Sequence, residues 1–258
     1  MSNPNYTIAI CKGAALLQPT RQMVQLWEPS MSQEGLYQAA VTSGVFGPRS
    51  AYRAKDIVSR VFAPRFLRPT NWPARCLKAC VAASLPNDVF ADLILVFSAR
   101  NDALLSDFLT KVFWPAARLN RPYLAISDAI NLIEQGEMEH RIDEPWSPTV
   151  KTKIARGLLG ALRDCGYLGS ERVANRSITK HACSWRTCIV LAAVHYFEGT
   201  CHELVKHDWQ CLGLREEESA QILADHAAKV GVVVQMGGGA MKIAWPAQTI
   251  EGVISGIA

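Results

Sequence analysis

The chain has 258 residues, of which 49% are hydrophobic and 19% charged, and its net charge of +4 permits a nucleic-acid partner without requiring one. Its longest apolar run, Cys188 to Phe197, has ten residues and includes His195, whereas a helix that spans a bilayer needs about 20, so we exclude a membrane-spanning protein. Eight cysteines lie mostly in apolar stretches, and the N-terminus does not resemble a signal peptide, so we expect reduced thiols and a cytoplasmic protein.

Helical patterns begin close to the N-terminus. Apolar spacing predicts a first helix over residues 8–27, with a break at Gly13 and Pro19. A second helix is predicted over residues 32–42, and a short glycine-containing turn follows it.

The third predicted helix, Gly47–Phe66, is basic on one face. Ser50 is placed to cap it by accepting a hydrogen bond from a backbone N–H of the first turn. Its apolar residues fall on one side, and the other side carries a ridge formed by Arg49, Arg53, Asp56 and Arg60. Between Arg49 and Arg75 there are seven basic residues against one acid, a local charge of +6. Such a face suits a phosphate backbone, and for a single helix a solvated basic face is the simpler alternative.

The second and third helices, with the turn between them, form a helix-turn-helix-like segment over residues 32–66. Ala40 followed by Gly44 fits the close packing and tight turn of that motif. The fit is partial because the third helix begins late, after Pro48, which puts Ser50 where the motif has a buried aliphatic residue. A DNA-reading geometry and an ordinary helical pair both remain open here.

Apolar helices continue through the middle of the chain, and the stretch Val89–Ser98 is apolar nearly all round, which places it at the centre of the fold. Further helices are predicted around residues 104–112 and 127–135. An acidic, proline-ended link then indicates a boundary near Pro145. We therefore predict an N-terminal helical domain over residues 1–145 and a C-terminal, winged-helix-like domain over residues 146–258.

The clearest helix begins at Ser147, which caps it, has Pro148 in its first turn, and ends at Gly166. Lys151 falls on the apolar side and is excluded from the basic face. The predicted outer face combines small hydroxyl residues, one glycine and three cations: Thr149, Thr152, Lys153, Arg156, Gly160 and Arg163.

Two stretches resemble the wing of a winged helix. A polar, strand-like segment over residues 170–178 follows the helix that Ser147 caps. Later, after a loop predicted from Cys201 to Trp209, a helix over residues 216–230 precedes a hairpin that pairs residues 232–235 with 241–245. The predicted fold class is mainly α, with helix-turn-helix-like elements and a small C-terminal β-hairpin.

Catalytic and metal-binding motifs are not evident. The glycines at 237–239 lack the Lys-Ser or Lys-Thr of a phosphate loop, and no G-x-S-x-G occurs. The spacing of Cys201, His202, His207 and Cys211 matches no zinc module. We therefore expect a protein that is not an enzyme and needs no cofactor or metal.

Several segments together resemble one family. They are YTIAICKGAALLQPTRQMVQLW, GVFGPRSAYRAKDIVSRVFAPRF, WSPTVKTKIARGLLGALRDCGYL and KHDWQCLGL. These are similar to signatures of the BrxA family, a small core protein of bacteriophage exclusion (BREX) systems; Phe66 and Cys165–Tyr167 depart from the usual pattern. The resemblance implies a mostly helical cytoplasmic protein that binds duplex DNA within an anti-phage system whose methylation and ATP hydrolysis belong to other components.

The leading hypothesis is a DNA-binding accessory protein that contacts mainly phosphates. Its predicted interface residues are Arg49, Ser50, Arg53, Arg60, Arg65, Thr149, Thr152, Lys153, Arg156 and Arg163. About six neutralised phosphates would give a salt slope near −5, and few Asn or Gln residues predict weak base readout. The alternatives are an RNA-binding module and a protein–protein adaptor in the same complex. Expected partners are double-stranded DNA and other BREX components, with no membrane and no small-molecule substrate.

Overall fold

Helices form most of this protein. The computed structural model describes residues 5–13, 15–47, 50–170, 175–237 and 240–257. The N-terminal part holds a 3₁₀ segment and two helices: Ala9–Lys12, α1 (Leu17–Leu26) and α2 (Gln33–Thr42). The predicted break at Gly13 is confirmed. Pro19 makes no break, because it lies in the first turn of α1, where its missing N–H has no intrahelical partner to lose.

The basic helix is continuous but changes its hydrogen-bonding pattern midway. It consists of α3 (Ser50–Ile57), a π-helical segment (Val58–Phe62) and α4 (Ala63–Phe66). A proline inside a regular helix removes one hydrogen bond and clashes with the carbonyl four residues earlier. Here Pro64 is the second residue after the π-helical segment, whose wider turn accommodates it. The π-helical residues Val58, Val61 and Phe62 are all buried, as predicted for the apolar face.

The centre of the fold is formed by helices from the middle of the chain. Its elements are α5 (Trp72–Ala82), α6 (Asn87–Arg100), α7 (Ala103–Asp107), a π-helical segment (Phe108–Phe113) and α8 (Trp114–Arg118). Every residue of α6 from Val89 to Ala99 is buried, which confirms the predicted central helix. The second π-helical segment, like the first, is followed by a proline, Pro115.

Two short strands enclose a pair of helices. In chain order these are β1 (Tyr123–Ala125), α9 (Ile126–Met138), α10 (Pro148–Asp164) and β2 (Asn175–Ser177). The strands are antiparallel, with Tyr123 opposite Ser177 and Ala125 opposite Asn175. An antiparallel bridge from Leu168 to Ile178 adds a third chain segment beside β2. The strand-like segment predicted over residues 170–178 includes β2, whereas β1 was not predicted.

The C-terminal part is helical with one hairpin. It comprises α11 (Trp185–Glu198), α12 (His202–Cys211), α13 (Glu216–His226), a 3₁₀ segment (Ala227–Val230), β3 (Val233–Gly237), β4 (Ala240–Ala244) and α14 (Ile250–Ser255). The predicted hairpin is confirmed, with Val234 opposite Ile243. The loop predicted from Cys201 to Trp209 is wrong, because α12 occupies it. The buried residues of α12 are Asp208, Trp209 and Cys211. Most of its other residues are polar, so the sequence shows no clear helical spacing of apolar residues there.

A single hydrophobic core includes residues from Tyr6 to Ile257. Its residues come from both sides of the domain boundary predicted near Pro145. The Tyr6 hydroxyl donates to Asp107, and the Tyr6 amide donates to the Arg141 carbonyl. The N-terminal segment is thereby attached to the centre of the fold. The division at residue 145 stays a prediction about folding units.

Candidate nucleic-acid interface

Helix α10 begins with a well-formed cap. The Ser147 hydroxyl accepts a hydrogen bond from the Val150 amide at 3.4 Å, and Pro148 occupies the first helical position. The helix ends before Gly166, whose φ of +83° favours glycine. These features confirm the helix that the sequence predicts, and they leave its first turns facing outward.

The exposed face of α10 covers only its N-terminal half. Lys153 and Arg156 are exposed, and Thr149 and Thr152 accompany them. We call these four residues the α10 stripe. With Pro148 they line one shallow concavity, in which the structure describes no acidic residue. Neither cation of the stripe makes an ion pair with a residue in the described ranges.

The C-terminal half of α10 is enclosed. Leu159 and Gly160 are buried, so the prediction that Gly160 lies on the outer face is wrong. Arg163 is half-buried and its Nε lies 2.8 Å from Asp164 Oδ1, which compensates its charge. Inside the stripe, the Thr152 hydroxyl donates to the Pro148 carbonyl at 2.8 Å. That hydroxyl can still accept, while its proton is used within the helix.

An ion pair joins α10 to the acidic end of α9. Lys151 Nζ lies 2.6 Å from Glu137 Oε2 and 3.6 Å from Glu134 Oε1. The hydrogen bond from Lys151 holds the pKa of Glu137 below its usual range. Lys151 is therefore separate from the stripe, as the sequence predicts.

The face of α3 is less cationic than its sequence suggests. Arg53 is exposed, whereas Arg60 forms an ion pair with Asp56 at 2.9 Å. Arg49 and the Ser50 side chain lie outside the described residues, so their predicted roles rest on sequence alone. Tyr52, beside Arg53, is 79% exposed. Tyr52 was not among the predicted interface residues, although its position next to an arginine on a polar helix face was a signal in the sequence.

Arg65 does not belong to the surface. Its residue is 6% exposed, and its Nη2 donates to the Gly13 carbonyl at 2.6 Å. Burial lowers the pKa of its guanidinium. The predicted phosphate contact at Arg65 is therefore corrected: this cation connects the end of the basic helix to the N-terminal segment.

The two basic helices flank the same segment of chain. Ile10, in the 3₁₀ segment, packs against Gly157 of α10, while Val61 of the π-helical segment lies beside Gly13. The structure therefore connects α3–α4 and α10 through residues 9–13.

One known protein family matches this chain. The BrxA family model matches residues 4–193, which is most of the chain. The chain belongs to the BrxA family. BrxA proteins are components of BREX phage-defence systems. The matched range ends within α11, so it includes both basic helices and the β1–β2 pair.

A crystal structure of an uncharacterized protein from Magnetospirillum magneticum has a similar fold, with a TM-score of 0.61. The two sequences are 17% identical, and the match covers 81% of this BrxA chain and all of the other. At that identity the similarity describes the fold alone. Comparison with curated proteins found no matching relative.

The cysteine and histidine residues around α12 have protein partners. His202 Nε2 lies 3.0 Å from Glu216, and His207 Nε2 lies 2.7 Å from the Ser106 hydroxyl. Within the described ranges, no group of three or more His, Cys, Asp or Glu side chains is arranged to hold a metal ion. The same part of the chain contains no helix long and apolar enough to cross a membrane.

Replacing Arg65 with methionine should lower stability while leaving DNA affinity unchanged. The variant leaves the partly buried Gly13 carbonyl without this donor, which costs about 1–3 kcal/mol. Urea unfolding and DNA binding by fluorescence anisotropy would measure the two effects. A folded R65M protein with a tenfold loss of DNA affinity would return Arg65 to the interface.

Proposed function

We propose that this BrxA protein is a non-catalytic, cytoplasmic component of its BREX system that binds double-stranded DNA mainly through phosphates. The observation that carries this proposal is the α10 stripe: Lys153 and Arg156 are exposed on the first turns of a capped helix, and no acid is among the described residues that line their concavity. An uncompensated cationic face of this kind attracts a polyanion.

The surrounding topology supports the same proposal. A strand, two helices and a returning strand that pairs with the first follow the chain order of a winged helix-turn-helix. On this proposal, α10 would be the recognition helix. Recognition helices contact DNA with their N-terminal residues. In this chain the N-terminal half of α10 is also the half that tertiary packing leaves exposed.

The residue types favour positioning contacts over base readout. Lysine binds phosphate as a point charge, and arginine binds phosphate or guanine. The stripe contains neither Asn nor Gln, the residues that read adenine through two hydrogen bonds. We therefore propose weak sequence preference.

Matched 20-base-pair DNA and RNA duplexes, titrated over a range of salt concentrations, test the proposal. We expect tighter binding to DNA and a linear fall of log affinity with log salt, at a slope of about −0.9 for each neutralised phosphate. An RNA duplex bound more tightly than DNA would favour the RNA-binding alternative. Affinity that does not change with salt would contradict both.

The α3 face supports a second candidate function, contact with another protein of the defence complex. Tyr52 is highly exposed beside Arg53, and tyrosine and arginine are enriched at protein-interface hot spots. The ion pair between Arg60 and Asp56 reduces the charge that this face offers to DNA. Loss of complex assembly in Y52A/R53A, with unchanged DNA affinity, would assign α3 to a protein partner.

A further inference from the structure

A concavity of about 640 Å³ opens between the end of α8 and the residues that follow β2. We call it the α8–β2 concavity. Its walls come from three separate parts of the chain: residues 114–122, residues 178–181 and Gly213. Its volume lies in the range of sites that hold a small organic ligand.

One wall of the concavity is cationic. The lining side chains include Arg118, Arg121 and Lys180, and no aspartate or glutamate is among the described lining residues. Arg121 pairs with Asp128 at 3.0 Å, so the charge of Arg121 is compensated by an acid that does not line the concavity. Arg118 and Lys180 are exposed, and neither has an ion-pair partner among the residues that the structure describes.

Arg118 is also held in place. Its Nη2 donates to the Gly213 carbonyl at 3.0 Å, while its other N–H groups make no hydrogen bond within the described part of the chain. A guanidinium fixed by one backbone bond binds an anion with little further loss of side-chain entropy.

The other wall is apolar. Trp114 is only 9% exposed, and its Nε1 donates to the Cys211 carbonyl at 2.9 Å, so the small part of this residue that lines the concavity is apolar. Ala117 and Ile178 extend this wall. Gly213 has a φ of +73°, and a Cβ there would lie 2.4 Å from the Trp114 ring. Only a glycine at this position allows the backbone of residue 213 to lie in contact with the Trp114 ring.

Neighbouring concavities have a different character. The one that shares Trp114 and Arg118 is lined by Glu216 and Glu217 as well as by cations. The one over Ser106 and His207 is lined by Asp107. Among these, the α8–β2 concavity combines cations and apolar residues with no aspartate or glutamate in its described lining.

We propose that the α8–β2 concavity binds a nucleotide, with Arg118 and Lys180 on its phosphate and the base against Trp114, Ala117 and Ile178. A free nucleotide and an unpaired nucleotide at the end of a DNA strand present this same chemistry. The residues are distinct from the α10 stripe, so the inference does not rest on the proposed duplex binding.

Calorimetry with AMP and with inorganic phosphate tests the free-ligand source. We expect AMP to bind more tightly than phosphate, and the R118A/K180A variant to lose at least tenfold in AMP affinity. The matched control, K153A/R156A, should bind AMP as the wild type does. Because Arg118 also contacts Gly213, the single K180E variant, at an exposed residue, separates lost binding from lost folding.

Duplexes with a blunt end and with a 5′-phosphorylated unpaired end test the DNA source. If AMP does not bind, we expect a preference for the unpaired end that disappears in R118A/K180A and persists in K229A/K242A, whose lysines are exposed and lie outside both proposed sites. Absence of both AMP binding and this preference overturns the inference. If AMP does bind, either of two results also overturns the inference. One is that inorganic phosphate binds as tightly as AMP, and the other is that R118A/K180A binds AMP as tightly as the wild type does.

Discussion

Reversing both charges of the α10 stripe, in K153E/R156E, should reduce duplex DNA affinity by about 100-fold or more. Hydrogen bonds to charged groups are worth about 1.5–3 kcal/mol each, and two such losses correspond to at least that factor. Both side chains are exposed, so the fold should not change. Fluorescence anisotropy with a labelled duplex measures the affinity, and circular dichroism verifies the fold.

The neutral variant K153A/R156A adds a second measurement. Loss of two phosphate contacts should make the salt slope shallower by about 1.8. A matched control, K229E/K242E, reverses two exposed lysines near the C-terminal hairpin and changes the net charge by the same amount as K153E/R156E. Equal loss of affinity in the control and in K153E/R156E would show that net charge alone governs binding, and it would contradict a site on α10.

The sequence predicts α10 well because its signals are local. The cap at Ser147, the proline at Pro148 and the apolar spacing all lie within the helix itself, and each is confirmed. Gly160 was placed wrongly because helical periodicity gives the direction of a side chain, whereas its burial depends on neighbours elsewhere in the chain. The exposed half of α10 could therefore not be separated from the buried half by sequence reasoning.

Long-range contacts account for the other differences. Arg65 follows the basic ridge in sequence, but its burial depends on the Gly13 carbonyl, which lies 52 residues earlier. Strand β1 has three residues and pairs with a strand some 50 residues later, so no local pattern indicated it. Likewise, Arg118 and Lys180 meet only in the folded chain. Such contacts need the fold before they can be identified.

A buried ionic network is the most consequential of these long-range contacts. Arg100, at the end of α6, donates to Asp208 of α12 through Nε at 3.0 Å and lies 2.8 Å from Glu198 of α11. His195 Nε2 lies 2.9 Å from Asp208, whose residue is fully buried. The network therefore joins three helices through two carboxylates, Asp208 and Glu198.

The protonation state of Asp208 follows from its partners. Burial alone would raise the pKa of its carboxyl, but hydrogen bonds from His195 and His207, together with the charge and hydrogen bonds of Arg100, hold it well below the usual range. Because the folded pKa is depressed, the contribution to stability is complete above the unfolded pKa of about 3.9 and is lost as the pH falls further below it.

Replacing Asp208 with asparagine should lower the free energy of unfolding at pH 7 by about 3–5 kcal/mol, because the Arg100 charge stays buried without its main counter-charge. The double variant R100M/D208N removes that charge as well, so it should lose less than the sum of R100M and D208N. Urea unfolding at pH 7 measures the three variants as a double-mutant cycle. Between pH 5 and pH 3 the free energy of unfolding should fall more steeply in the wild type than in D208N. Only in the wild type does the unfolded chain take up a proton at this position that the folded chain does not. A D208N protein as stable as the wild type, or single losses that simply add, would mean that the network contributes no coupling between α6 and α12.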